Sequence, residues 1–527
     1  MVTEMKLFFD PLKDDPSVKP LNSHVQADMR LEELLHSFLE SRDLERATLR
    51  TLNQFCDDPE VIKFRQDVIG DMVENDGVYD LFCELEENVR ELKVIYELKM
   101  FKEIPEMSTM KTFLLTEKFA AVYKAMLDRA EAMEGQISEG TKSILDLIKA
   151  EENTAPVKAL TDDIAEVRKE LETIGKVRLN RYFSRGQNIE NSVLAKTDRP
   201  SLTKHLTDTV AALGVDTAEV ERSALLGRKE FTRPVFIAMY NLYKDIFAKV
   251  DDFHEKYDGF FSPTWFDLIE KLNACIGFAK IFRTLKERSF PYVRGVAAQE
   301  TDIKNFYSFF LVTRGFDPAQ VVFNDYKYNQ KTSFYFITGP NAGGKTIFLT
   351  SVCLCQLFFQ ATGLVPATDA RIRVLRRVYT HFPVEEYNDN SGRLVEEQGR
   401  VEEILRDMTE DDCMCLFNET YSSTKADIAY NMSVDLCEKM IELKAKGLFV
   451  THLHSLKDYA RETRERTEPN IGVLTALNDE DTGKRMYKIV PLSDQNSSFA
   501  LDILKKYDMT VEKMMERVAA KLNKEVE

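Results

Sequence analysis

Residues 339–346 read Gly339-Pro340-Asn341-Ala342-Gly343-Gly344-Lys345-Thr346, the pattern G-x-x-x-x-G-K-T. Each residue type has a chemical task in holding a nucleoside triphosphate. The glycines let the backbone approach the phosphates, and successive N–H groups at a helix N-terminus hold negative charge. Lys345 reaches the outer phosphates, and the Thr346 hydroxyl is offered to Mg²⁺. The same string could close an ordinary β-to-α turn. The apolar run SFYFIT (333–338) before it and the helical pattern from Lys345 after it are the setting the nucleotide motif requires. ATP and Mg²⁺ are the expected cofactors.

The elements that must position this loop follow from the hydrophobic pattern. From residue 305 onward strands alternate with helices: 333–338, a helix from Lys345, CMCLF (413–417), a helix near 425–445, and GLFVT (447–451). That alternation predicts a mainly parallel α/β sheet. Before it, apolar residues recur at three- and four-residue spacing from about Leu31 to Ala150, and again from Pro234 to Glu287, predicting long helices. The stretch 151–235 is mixed and broken by TDRPS and LGRKEFTRP, as an inserted module would be. The expected fold class is therefore multidomain, a mainly helical region followed by a C-terminal α/β domain of the P-loop type.

A chain of 527 residues exceeds one ordinary core, and 44% apolar residues suffice to build several. No apolar run is long enough to span a bilayer, and the N-terminus lacks a secretory pattern, so a cytoplasmic location is expected. The eight cysteines form no C-x-x-C pair; Cys353, Cys355, Cys413 and Cys415 fall in apolar segments and read as core thiols rather than zinc ligands. The net charge of −17 excludes a surface that attracts phosphate backbones everywhere, though not a local basic groove. Residues 176–204 carry Lys176, Arg178, Arg181, Arg185, Lys196, Arg199 and Lys204 against Glu190 and Asp198. That segment is either a solvated surface or a DNA contact.

FITGPNAGGKT, followed by FFQATGLVPA (358–367), resembles the ATPase domain of the MutS mismatch-repair family, and SFALDILKKYDMTVEKMMERVAAKL (498–522) resembles its subunit-pairing helices. The likeness spans roughly 320–522 and extends more weakly through VIKFRQDVIGDM (61–72). It implies an N-terminal extension (1–20), a helical core and lever (21–150), an inserted clamp-like module (151–235), further lever helices (236–304) and an ABC-type ATPase domain with dimerisation helices (305–527). It also implies a homodimer with DNA as partner.

Residue by residue, the resemblance places Asn324 beside the adenine and CMCLFNET (413–420) at the second nucleotide motif. There the family has Asp-Glu and this chain has Asn418-Glu419, so an amide replaces the carboxylate that helps hold Mg²⁺, and Glu419 is left to polarise the attacking water. Ser423-Thr424 stands where the family has Gly-Thr. Counting back from Ile404-Leu405 places Leu394 and Glu397 at a family phenylalanine and glutamate; a solvated acidic helix fits that segment equally well. His452, after a strand, corresponds to the family's switch histidine, and His454 reads as structural. The family's mismatch-reading domain would need about a hundred more residues ahead of the helical core, so direct mismatch reading is not expected. Three functions remain: an ATPase acting on branched or mismatched DNA, an ATP-gated switch for a protein or ribonucleoprotein, and a protein that binds ATP only structurally.

Overall fold

The computed structural model describes residues 20–492, apart from 99–106, 134–136, 143–144, 147–154, 175–176, 184–188, 197–232, 262, 329–330, 384–392, 409–412, 454, 465–469 and 479–484. The expected terminal helices (498–522), the N-terminal extension up to residue 19, most of the expected clamp and His454 lie outside the described residues. Two compact units result: Gly77–Leu272, and residues 20–76 together with Asn273–492.

The chain starts with helices α1 (Ser23–Asp28), α2 (Leu31–Phe38), α3 (Arg42–Asn53) and α4 (Pro59–Glu74), whose start is fixed by Pro59 and by the Asp58 side chain accepting from Glu60 N and Val61 N. The first unit then contains most of α5 (Asp76–Glu97), followed by α6 (Ser108–Ala132), α7 (Ala155–Glu172), the antiparallel hairpin β1 (Val177–Phe183) and β2 (Ile189–Lys196), α8 (Arg233–Leu242) and α9 (Lys244–Tyr257). Phe113, Leu160, Val250, Phe253 and Tyr257 make one of its cores.

In the second unit α10 (Asp267–Glu287) leads to β3 (Val293–Arg294), β4 (Val296–Ala298), β5 (Thr301–Phe306), α11 (Phe309–Thr313) and β6 (Asn324–Tyr328). Next come β7 (Thr332–Thr338), α12 (Lys345–Thr362), β8 (Leu364–Val365), β9 (Asp369–Arg373) and β10 (Arg377–His381). The remainder is α13 (Arg393–Asp407), β11 (Cys413–Asn418), α14 (Ala426–Glu442), β12 (Lys446–Val450), α15 (Leu456–Arg464), β13 (Asn470–Asn478) and β14 (Arg485–Pro491).

Six strands form one sheet in the order β10-β11-β12-β7-β13-β14, parallel throughout except that β14 runs antiparallel to β13. Every residue of β11 and β12 is buried, as expected where helices cover both faces of a parallel sheet. A smaller mixed sheet, β4-β9-β5-β6, adjoins it in sequence.

Helix α12 runs from Lys345 to Thr362 without Gly or Pro and ends at Gly363, whose φ of 70° only glycine adopts at ease. A Cβ there would also lie 2.4 Å from the Gln66 Cβ. Gln66 Nε2 donates to Gly295 O at 2.7 Å and Gly363 O at 2.8 Å, and Gln360 Nε2 donates to Cys56 O at 2.6 Å and Leu375 O at 2.8 Å. Phe358 packs its ring against Phe278, Phe282 and Phe309. Residues 20–76 and 273–304, helical in the sequence pattern, thus share the core of the α/β sheet through these buried amides and rings.

Candidate nucleotide site

In a parallel sheet the carboxyl ends of the strands and the amino ends of the following helices meet along one edge, where ligands are usually held. The loop 339–344 lies on that edge, between β7 and α12. Its turn depends on Gly344, which precedes the helix at φ 90°; Ala342 is also left-handed at φ 56°. Beneath it, a Cβ on Gly343 would meet both Ala476 Cβ and Pro340 O at 3.0 Å, so β13 and the loop itself keep that position a glycine.

Lys345 turns its ammonium back over the loop, donating from Nζ to Gly339 O and Pro340 O at 3.0 Å each. Burial lowers its pKa, while the nearby Glu419 charge opposes that. The Thr346 hydroxyl donates to Asn418 Oδ1 at 3.1 Å, joining the start of α12 to the end of β11. Both oxygens are of the hard type that Mg²⁺ takes; Thr346 could hold the ion directly and Asn418 would support it as an outer partner. Both are neutral, and among the described residues no group of three or more His, Cys, Asp or Glu could hold a metal unaided. A metal here would depend on anionic phosphates for charge.

Glu419 stands one residue beyond Asn418 with φ 52°, its N–H donating to Val450 O at 2.9 Å. This strained turn lifts its side chain off the strand. Glu419 Oε1 lies 2.7 Å from His452 Nε2, and both side chains are about one-third exposed, at 34% and 40%. Next to His452, Thr451 N donates to Ile337 O at 3.1 Å and the Thr451 hydroxyl accepts from Leu453 N at 3.1 Å. Lys345, Thr346, Asn418, Glu419 and His452 are thereby brought to one edge by β7, β11 and β12, which are neighbours in the sheet.

Asn324 is placed differently from an open base-binding residue. Its side chain is buried, donating to Tyr487 O at 3.2 Å and accepting from Ile489 N at 2.8 Å, and so it fastens β6 to β14. Glu397 is buried rather than solvated: one of its oxygens, Oε2, accepts from Tyr421 N at 3.1 Å and Ser423 Oγ at 3.0 Å. Of the basic segment, Arg178, Arg181 and Lys196 fall on β1 and β2, whose backbone pairing is described and whose side chains are not, while Lys176, Arg185, Arg199 and Lys204 lie outside the described residues. Sequence reasoning missed His381, whose Nδ1 lies 2.9 Å from Thr420 Oγ1. The signal was present, since β10 ends in Thr380-His381 just as β12 is followed by Thr451-His452. Burial, with the Arg400 charge adding to it, pushes the His381 pKa down to about 4, so its ring is neutral near pH 7.

An α/β domain with a glycine-rich loop, a strand-end acid and an adjoining histidine on one edge is what the chain presents. The family model "MutS domain V" matches residues 335–525. Human "MutS protein homolog 4" is 29% identical over 126 residues, which are 24% of this chain and 13% of the relative. "DNA mismatch repair protein MSH4" of Arabidopsis thaliana is 29% identical over 147 residues, 28% of this chain and 18% of the relative. "DNA mismatch repair protein MutS" of Lactobacillus johnsonii is 24% identical over 368 residues, 68% of this chain and 40% of the relative. Residues 335–525 are thus similar to domain V of MutS proteins, and the relatives matched are MutS and MutS-homologue proteins. The chain spans less than half the length of each of these relatives. No helix among the described residues is long and apolar enough to cross a membrane.

Proposed function

We propose that this chain is an ATPase that couples ATP binding and hydrolysis to an action on DNA in mismatch repair or recombination, working as a homodimer. The observation that carries it is the edge on which Lys345, the Thr346–Asn418 oxygen pair and the Glu419–His452 pair surround one glycine-rich loop. Lys345 exchanges its two loop carbonyls for phosphate oxygens. Thr346 and Asn418 present the oxygens that would hold Mg²⁺, which neutralises charge on the phosphates when bound. Glu419 accepts a proton from water, and His452 holds that carboxylate at one rotamer. The DNA half of the reading is supported by the relatives being DNA mismatch repair proteins, and residues 176–204 are the proposed contact.

The test is binding to homoduplex, mismatched, four-way-junction DNA and RNA at stated salt, with and without ATP, alongside steady-state phosphate release. ATP is expected to change affinity for at least one DNA. Turnover with no ATP-dependent change on any DNA, or a change confined to RNA, would sink the DNA assignment and favour a protein or ribonucleoprotein partner, to which the −17 charge is better suited.

The Asn418 amide favours a second reading, in which ATP is held without turnover. Replacing it, Asn418→Asp, restores a charge without adding bulk. The Mg²⁺ midpoint of phosphate release is expected to move to lower concentration by roughly 10–100-fold, the usual weight of an outer metal partner, with less change in maximal rate. Superimposable Mg²⁺ titrations would refute the metal role of this position. No phosphate release from either protein would leave the structural-binding reading in place.

A further inference from the structure

The loop after β11 carries Glu419 immediately ahead of two buried anchors. Thr420 meets His381 of β10, and Tyr421 N with Ser423 Oγ meets Glu397 of α13. Those anchors are themselves joined. Arg400, one turn along α13 from Glu397, donates from Nη1 to Phe382 O at 2.9 Å and from Nη2 to Thr380 O at 3.3 Å, gripping the end of β10 on either side of His381. Asp28 at the end of α1 closes the set: its Oδ2 accepts from Arg400 Nη2 at 2.8 Å and from Thr380 Oγ1 at 2.7 Å. The two charged side chains are 11% and 12% exposed. Burial raises the Asp28 pKa and Arg400 opposes it. His24 and Glu403, 3.7 Å apart, are the other charged partners that α1 and α13 bring to this corner.

We propose that Asp28 is a positioning residue for Glu419: by clamping β10 to α13 it fixes the two side chains, His381 and Glu397, that hold the loop bearing the acid. The hydrolytic consequence rests on the ATP-site reading above; the anchoring does not. A buried carboxylate with two donors is a costly place for a purely passive contact, because removing one member of such a pair strands the other's charge. Here it is spent at a strand end that touches the 419–424 loop. The first helix among the described residues thereby bears on a residue almost four hundred positions later in the sequence.

The experiment uses the full chain. Asp28→Asn keeps shape while removing charge, and Thr380→Val removes one donor without exposing a charge, so that a folded variant is available if the first is unstable. Thr420→Val cuts the last link, and Thr420→Ser keeps the hydroxyl and serves as the rescue. Amide hydrogen exchange is followed in peptides covering 413–424, with ATP affinity by calorimetry and kcat by phosphate release. The expected result is exchange faster by roughly five- to tenfold in that segment, the weight of about one hydrogen bond. With it, kcat falls on the order of 10–100-fold at nearly constant ATP affinity, since misplacing a reacting group by an ångström suffices. Thr420→Ser restores both. Unchanged exchange in the folded Asp28 and Thr380 variants would overturn the clamp, and faster exchange with wild-type kcat would overturn its role in positioning Glu419. If the parent protein releases no phosphate, the ATP-hydrolysis reading fails on that measurement, while the exchange rates still decide whether Asp28 fixes the loop.

Discussion

Lys345→Ala is expected to lower ATP affinity by roughly 100-fold or more, because a charge-assisted bond to phosphate contributes about 1.5–3 kcal/mol and this ammonium is placed to make more than one. No other cation lies in the loop 339–346. Its present partners, Gly339 O and Pro340 O, show that the ammonium already sits inside the turn and needs only to change acceptors. Burial, which lowers the lysine pKa, adds to the effect, since a poorly solvated cation gains most from an incoming anion. Calorimetric titration of the folded variant against the parent reads this directly. Equal affinities would remove the loop from the binding site altogether.

The second large effect separates binding from turnover. Glu419→Gln is expected to leave ATP affinity within a few-fold and to lower kcat by about 10²–10⁴, the range for a positioned proton acceptor. The substitution keeps the side-chain volume and a bond to His452, so the turn at φ 52° and the Glu419 N bond to Val450 O are retained. ATP should then remain bound long enough for a nucleotide-loaded dimer to accumulate in size-exclusion runs. Single-turnover phosphate release at the parent rate would show that another group accepts the proton.

The glycine-rich loop and its flanking strand and helix were legible in the sequence because all their determinants are local: an apolar run of strand length, a fixed spacing of glycines, and a helix without breakers up to Gly363. The ends of β11 and β12 were legible for the same reason. Glu397 was reached only by counting from Ile404-Leu405, since nothing near it in the chain shows that Tyr421 and Ser423 will be its partners. Asn324 was expected at the adenine, yet its amide closes a backbone pairing with a strand some 160 residues later, which no local pattern encodes. The Asp28–Arg400 pair, 372 positions apart, was invisible for that reason. Polar groups that meet across such separations keep no periodicity, and only the fold brings them together.

The buried amides of Gln66 and Gln360 carry a consequence for synthesis. The helices from Ser23 to Glu74 leave the ribosome well before their partners, which begin at residue 273. At about 5–20 residues per second, roughly 200 residues of delay keep their apolar faces waiting for on the order of 10–40 s. The intervening unit is free to fold meanwhile, which shortens the effective tether and eases the later closure, whose entropic cost grows only slowly with loop length. Nascent chains halted before Phe358 emerges should therefore depend heavily on chaperones, and the early helices should become protease-resistant only after that point.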